Sequence, residues 1–286
     1  MPEITLGMIT ALRKQTDASI ADCQKALKHA QGDIDKALQL LVKNGAMLID
    51  SDADEAELDR YLGYELRSAV MAGNFKALGK LLEQNVDINY NKSDMVHPFG
   101  GTPLYVAALF GNMEMVKYLI ERGASVETAD ARGIRPYTVA LQNNGKDIAD
   151  YLKTLEPEEF HDLDSKLNQL GAYALPQSLI AFLQSGDLRI VFPPNEYDLK
   201  EVEFYSLVDT VETEFLGKIL LLISKDIDGA CCELVWDAEE KRIGYIDVEH
   251  GFYNTVCTFE DFMENPADIV LRIADGEYSI NASIDA

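Results

Sequence analysis

Basic residues are scarce in this 286-residue chain: 25 Lys and Arg stand against 49 Asp and Glu, a formal net charge of −24. A field of that sign repels phosphate backbones and anionic headgroups, so neither nucleic acid nor a membrane surface is an expected partner. Cysteine is scarcer still, at Cys23, Cys231, Cys232 and Cys257. No Cys-x-x-Cys occurs, and an adjacent pair on a strand points to opposite faces, which excludes a zinc framework or a disulfide scaffold. Core thiols in a reducing cytoplasm are the expectation. The longest apolar run, Ile219 to Ile223, is far too short to span a bilayer. MPEITLGMITALRKQ has neither the apolar stretch nor the cleavage site of a signal peptide. P-loop, dinucleotide fingerprint, nucleophile elbow and His-Glu-x-x-His are all missing, so neither cofactor nor metal is expected. What remains is the composition of a folded protein, 47% hydrophobic and 26% charged, long enough for two or three domains.

The clearest pattern lies mid-chain, from Gly101 to Gly123. Thr102-Pro103 opens a helix with proline at its first position, where the missing N–H is harmless. Gly111-Asn112 makes a turn, and Met115, Val116, Leu119 and Ile120 fall on one face of a second helix. Gly123 stands just past its end. A degenerate copy precedes it, from Glu65 through Gly73-Asn74 to Asn89, and another follows from Asp130 to Leu152. Pro103 and Pro136 are 33 residues apart, while Gly73 and Gly111 are 38 apart, so the intervening loop is lengthened around Ser93 to Phe99. Thr102-Pro103-Leu104…Ala107-Ala108…Gly111-Asn112…Gly123-Ala124 resembles an ankyrin repeat, with Tyr105 in place of the usual His. The resemblance implies a short solenoid over residues 61–155, its outer repeats serving as caps. Such a stack binds protein surfaces. On the lengthened finger Met95, His97, Pro98 and Phe99 either fold back as a lid or act as contact residues; lone His97 offers no metal site.

Upstream, three short amphipathic helices are expected. The first runs over Thr5 to Gln15 with Leu6, Ile9 and Leu12 inward. The second opens at a capping box, Ser19 to Asp22, and carries Cys23, Ala26 and Leu27. The third is capped by Asp33 and runs from Ile34 to Gly45. Leu12-Arg13…Thr16…Asp22-Cys23-x-Lys25-Ala26-Leu27…Gly32-Asp33-Ile34…Gly45-Ala46 resembles the ubiquitin-associated-type domain of elongation factor Ts, over residues 3 to 48. In that family the domain contacts elongation factor Tu, which makes Arg13, Lys14, Asp17 and Lys25 candidate docking residues. Asp17 and Ser19 stand where the factor commonly has glycines, and its Thr-Asp-Phe-Val segment is missing, which argues against nucleotide exchange. Residues 50–60 read as an acidic linker, in part the first turn of the next helix.

From residue 156 onward the pattern becomes helix, several strands, then helix. Helices are expected at Phe160 to Leu170 and Pro176 to Leu183. Strands are expected at Arg189–Phe192, Glu203–Leu207, Lys218–Ile223, Cys231–Trp236 and Arg242–Val248. Asp226 to Gly229 and Asp237 to Lys241 supply turns, which implies a mainly antiparallel sheet. Thr258 and Asp261 cap the final helix. Leu175-Pro176, Phe182, Asp228-Gly229, Trp236-Asp237 and Thr258-Phe259-x-x-Phe262 resemble the SUKH superfamily. That resemblance implies an immunity protein that neutralises a bacterial toxin. Asp226, Asp228, Asp237, Asp247, Glu249 and His250 are the residues an enzyme would use, but they read better as turn sequences. The acids from Glu156 to Asp164 and from Glu196 to Glu214, among them Glu196, Asp198, Glu201 and Glu212, are expected to form a negative face suited to a basic toxin domain.

The expected architecture is therefore multidomain α plus α/β. A ubiquitin-associated-like bundle spans 1–49, a linker 50–60, an ankyrin solenoid 61–155 and an α+β SUKH-like domain 156–286. The expected role is non-enzymatic, cytoplasmic protein binding, directed at a basic toxin domain or, alternatively, at elongation factor Tu.

Overall fold

The computed structural model describes residues 4–13, 15–16, 18–44, 52–84, 86–227 and 232–278. Its packing divides into two compact units, Met1–Ala107 with Asn112–Ser125, and Ala108–Gly111 with Val126–Ala286.

In the first unit, α1 (Leu6–Arg13), α2 (Ile20–His29) and α3 (Ile34–Lys43) form the expected bundle. Ser19 Oγ accepts from the Asp22 amide at 3.2 Å and donates to its carboxylate at 2.6 Å, while Asp33 accepts from the Lys36 amide at 3.1 Å. Each cap satisfies an amide that the first turn leaves unpaired. Ile9, Leu12, Cys23, Leu27, Ala37 and Leu41 make the core, each full-size aliphatic contributing about 2 kcal/mol; the Leu6 side chain lies outside the described set.

The helix that leads into the repeats begins within the stretch read as linker. Helix α4 runs unbroken over Asp52–Met71, so most of the stretch read as linker is helical. No proline or glycine interrupts 52–62, and nothing local stops the helix from extending. Asn74 and Asn112 cap α5 (Phe75–Leu82) and α7 (Met113–Ile120) through the amides of Ala77 and Met115, at 3.0 Å each. Helix α6 (Pro103–Leu109) starts on Thr102, whose hydroxyl accepts from the Tyr105 amide at 3.1 Å. Tyr118 meets Phe75 edge-on at 5.1 Å, and Asn89 accepts from the Ser125 amide at 2.8 Å, binding one repeat to the next.

The second unit opens with the third repeat, α8 (Pro136–Gln142) and α9 (Lys146–Lys153). The sequence pattern divides the chain at 155/156, whereas the packing divides it at 125/126. The reason is tertiary: the third repeat lies on one face of the sheet that follows. A 3-10 turn (Glu158–His161), α10 (Leu163–Gln169) and α11 (Gln177–Leu183) lead to that sheet. The helix expected from Phe160 to Leu170 is interrupted because Asp162 caps α10 instead, through the Ser165 amide at 2.8 Å.

Strands β1 (Arg189–Val191) and β2 (Glu201–Glu203) pair with each other. The strand expected to run on to Leu207 stops at Glu203; Phe204 forms a single bridge to Ser224, and Leu207–Asp209 is a 3-10 turn. The main sheet is antiparallel in the order β3 (Val211–Phe215), β4 (Lys218–Asp226), β5 (Cys232–Asp237), β6 (Arg242–Asp247) and β7 (Phe252–Cys257). β3 and β7 are additions to the sequence reading. The expected turn residues Asp228 and Gly229, and Cys231, lie outside the described residues. The final helix breaks at Asn265-Pro266 into α12 (Phe259–Glu264), capped by Thr258, and α13 (Pro266–Ala274).

Every described residue of β5 is buried, since both sheet faces are covered there. Leu234 and Trp236 join Leu179, Leu183, Phe262 and Val270 in a core beneath the helices, and the Trp236 indole donates to the Tyr173 carbonyl at 3.0 Å. On the opposite face Glu233 accepts from Arg132 at 2.8 Å and from Gln142 at 3.2 Å. The Gly133 backbone is pressed against β3.

That contact predicts a graded pair of substitutions. Gly133 has φ +79°, and a Cβ there would lie 2.5 Å from the Glu212 carbonyl oxygen; Gly111 has φ +68° with nothing within 4 Å. Gly111→Ala should cost about 1 kcal/mol from backbone strain alone, and Gly133→Ala about 3 kcal/mol, the clash being added. Urea denaturation measures both. Equal losses would mean that the loop is not seated on the strand.

Candidate protein-binding sites

The bundle offers a positive rim smaller than its sequence suggests. Arg13 is buried, and Lys36 is held by Asp33 at 2.8 Å. Lys25, Lys28 and Lys43 are exposed. Lys14 and Asp17 lie outside the described residues. The bundle core is made of small and medium side chains.

The lengthened finger is organised by a buried cation. Arg67, on α4, is 1% exposed and donates to the carbonyls of Gly101 (3.0 Å) and Lys92 (2.8 Å) and to the Asp94 carboxylate (2.6 Å). It also lies 4.9 Å over the Tyr90 ring. Asp94 in turn accepts from the amides of Val96 and His97 at 2.8 and 2.6 Å. Burial and the adjacent Arg67 push the His97 imidazole below its ordinary pKa. The finger residues divide by burial. His97 folds inward and Phe99 is half-buried, whereas Met95 is fully exposed and Val96 largely so. Val96 and His97 border an apolar groove of about 350 Å³ whose other wall is Tyr64, Ser68 and Met71 on α4. The spacing of those three is one stripe of a helix. Tyr105 is not a contact residue: it is buried, its ring lying over Gly101.

The negative face expected after residue 156 is broken up by internal pairing. Glu196 and Asp198 are exposed on the β1–β2 connection, but Glu201 binds Arg189 and Glu203 binds Lys225 at 2.6 Å. Asp209 accepts from Tyr137 (2.9 Å) and Ser206 (2.6 Å). Glu156 is buried between Arg135, at 3.0 Å, and His161, at 2.8 Å but out of line for a hydrogen bond. Glu212 is exposed and receives the Tyr173 hydroxyl. Of the residues of the enzyme reading, Asp226 ends β4, while Asp237, Asp247, Glu249 and His250 lie at the hairpin turns that follow β5 and β6. Asp237 accepts from the amides of Glu239 and Glu240 and from Lys218, while Asp247 accepts from the His250 amide. Asp228 lies outside the described residues. Among the described residues, no group of His, Cys, Asp and Glu is arranged to hold a metal ion.

Sequence reasoning missed the polar groups buried between the third repeat and the sheet. Lys166 is buried and donates to the Thr210 carbonyl at 2.6 Å; burial lowers its pKa to about 8. It lines a cleft of about 420 Å³ with Arg135, Thr138, Phe160 and Asp209. On an amphipathic helix a lysine reads as solvated, so no local signal marks it. Among the described residues no helix is long and apolar enough to cross a membrane.

The family model described as "Ankyrin repeats (3 copies)" matches residues 66–161. An elongation factor Ts of Gloeobacter violaceus is 34% identical over 90 residues, 32% of this chain and 38% of that protein. Elongation factor Ts of Stenotrophomonas maltophilia is 41% identical over 61 residues, 21% of each chain. The ARF GTPase-activating protein Git of Drosophila melanogaster is 25% identical over 196 residues, 65% of this chain and 24% of that protein. The chain thus spans between a fifth and two fifths of the length of these relatives. The ankyrin and elongation factor Ts similarities point to a protein–protein interaction module.

Two outcomes follow from these sites. Arg67→Met removes the charge that three acceptors share and leaves Asp94 buried without its partner. It should cost about 3–5 kcal/mol and expose residues 92–101 to hydrogen exchange. An unchanged exchange pattern would show that the finger holds itself. The Glu156 carboxyl is pushed up to about 7 by burial, against the opposing pull of Arg135. Its folded pKa is raised, so its contribution to stability is complete below the usual Glu value near 4.5 and is lost as pH rises through about 7. His161, held below its ordinary value by burial and by Lys153 and Arg135, works in the opposite direction. Carboxyl ¹³C NMR should give a midpoint near 7 for Glu156, a resonance missing from Glu156→Gln; a midpoint in the ordinary Glu range would refute the assignment.

Proposed function

We propose that this chain is a non-enzymatic cytoplasmic adaptor whose N-terminal bundle docks on elongation factor Tu and whose repeats and sheet domain engage a second protein. The observation that carries this reading is the similarity to elongation factor Ts proteins of several organisms, at 33–41% identity over 61–92 residues. The residues from Leu12 to Ile34 that resemble that family lie in the bundle, where Ser19 and Asp33 cap α2 and α3. Lys25, Lys28 and Lys43 supply exposed positive charge to the contact. Nucleotide exchange is not part of the proposal, because the Thr-Asp-Phe-Val segment is missing from the sequence.

A second reading is neutralisation of a basic toxin domain by a SUKH-like sheet domain. It is favoured by the net charge of −24, which would speed encounter with a cationic partner. The pairing of Glu156, Glu201, Glu203 and Asp209 within the fold leaves Glu158, Glu159, Asp164, Glu196, Asp198, Glu212 and Glu214 as exposed acids available to it.

Purified elongation factor Tu, titrated into the full chain by calorimetry, decides the first reading. Binding should weaken at least about tenfold in Lys25→Glu/Lys28→Glu, the loss expected for two rim charges in one contact. No heat from the wild-type chain, with an elongation factor Ts control active, would sink it. Protection against cationic nuclease domains at low salt, in the absence of factor Tu binding, would transfer support to the second reading.

A further inference from the structure

Lys166 is an anomaly in electrostatic terms. A buried ammonium ordinarily faces a carboxylate or a bound anion, because desolvating an unpaired charge is costly. Here the side chain is more than nine-tenths buried, and the hydrogen bond it makes is to a neutral backbone carbonyl, that of Thr210. An ammonium has three protons to donate. Three carboxylates line the same cleft: Asp209 and Glu212, which are engaged by hydroxyl groups, and the exposed Glu159. Glu212 supplies the main opposite charge felt by Lys166, yet it takes the Tyr173 hydroxyl. Both oxygens of Asp209 accept from hydroxyls, those of Tyr137 and Ser206. Glu156 is held by Arg135.

Lys166 lines the cleft of about 420 Å³ between the third repeat and the start of β3, within the range of about 300–1,000 Å³ occupied by small-molecule sites. Thr138, Ser165 and Gln169 bring hydroxyl and amide groups to the lining, and Arg135 lies 4.5 Å over the Phe160 ring at its edge. We propose that this cleft is a binding site for a small oxyanion-bearing molecule, a carboxylate or a phosphate, whose charged group completes the coordination of Lys166. Because Thr138 comes from the third repeat, Lys166 from α10 and Thr210 from the strand approach, the ligand would clamp the repeat to the sheet domain. The proposal is independent of what the bundle binds.

The full chain is titrated with inorganic phosphate and, separately, with succinate, at ionic strength matched with chloride, and followed by calorimetry and thermal shift. At least one oxyanion should bind and raise the melting temperature where chloride does not; the two arms distinguish phosphate from carboxylate. The ¹⁵N resonance of the Lys166 ammonium should move on binding, and its pKa should rise. Lys166→Met keeps the length of the side chain, removes the charge and should weaken binding at least tenfold. If that variant does not fold, Glu212→Gln decides: removing the competing negative charge should tighten binding several-fold. Absence of binding by both anions up to about 10 mM, the weak limit of a specific site, overturns the proposal. So does unchanged affinity in Lys166→Met, or in Glu212→Gln where Lys166→Met does not fold.

Discussion

Glu233 carries the arrangement of the second unit. It sits in the central strand of an antiparallel sheet, on the face away from the helical core, where its neighbours are buried. A carboxylate there is tolerable only with charge-assisted donors, and Arg132 and Gln142 of the third repeat supply them. The repeat is thereby placed on the sheet in one register, its loop glycine against β3 and its Tyr137 hydroxyl on Asp209. Apolar burial drives the association, but it is non-directional. The buried pairs give it direction. Removing one partner would leave the other desolvated, at a cost of about 3–5 kcal/mol.

The same logic governs the first unit at a smaller scale. Ankyrin fingers normally connect repeats at a fixed spacing, and a lengthened finger has to be ordered by something. Arg67 does this from within α4 by collecting two carbonyls and one carboxylate. Because that network fixes one side of the finger, the other side can present Met95 and Val96 to solvent beside Tyr64 and Met71 without collapsing onto them. An exposed apolar stripe on a rigid support is what a binding surface needs.

The excess of acid residues shapes the chain's interactions less uniformly than its net charge suggests. Many carboxylates cap helices or turns, as Asp33, Asp162, Asp237 and Asp247 do. Others pair across strands or within the repeat–sheet contact. The net charge still sets the long-range field, which steers encounter. It does not define a single docking face.

The parts of this protein legible in its sequence are those held by interactions within a few residues. Ser19, Asp33, Asn74, Asn112 and Thr258 each bond an amide three positions on, so helix starts could be read directly. The 33-residue spacing of Pro103 and Pro136 and the apolar stripe of α7 were equally plain. Tertiary structure decided the rest. β3 (Val-Glu-Thr-Glu-Phe) alternates and β7 (Phe-Tyr-Asn-Thr-Val-Cys) is rich in aromatic and β-branched residues, so both carry a short local strand signal. Their places in the sheet, however, come from pairing to β4 and β6. Arg67 and Lys166 sit on amphipathic helices, where long cations are usually solvated; their partners lie 25 to 34 and 44 residues away. Arg132 and Glu233 are separated by 101 residues. Composition and periodicity encode short-range geometry, so they mark many helix starts but not the module boundaries. Which buried charge meets which partner depends on distant segments, so only the folded chain determined the finger, the cleft and the junction of repeat and sheet.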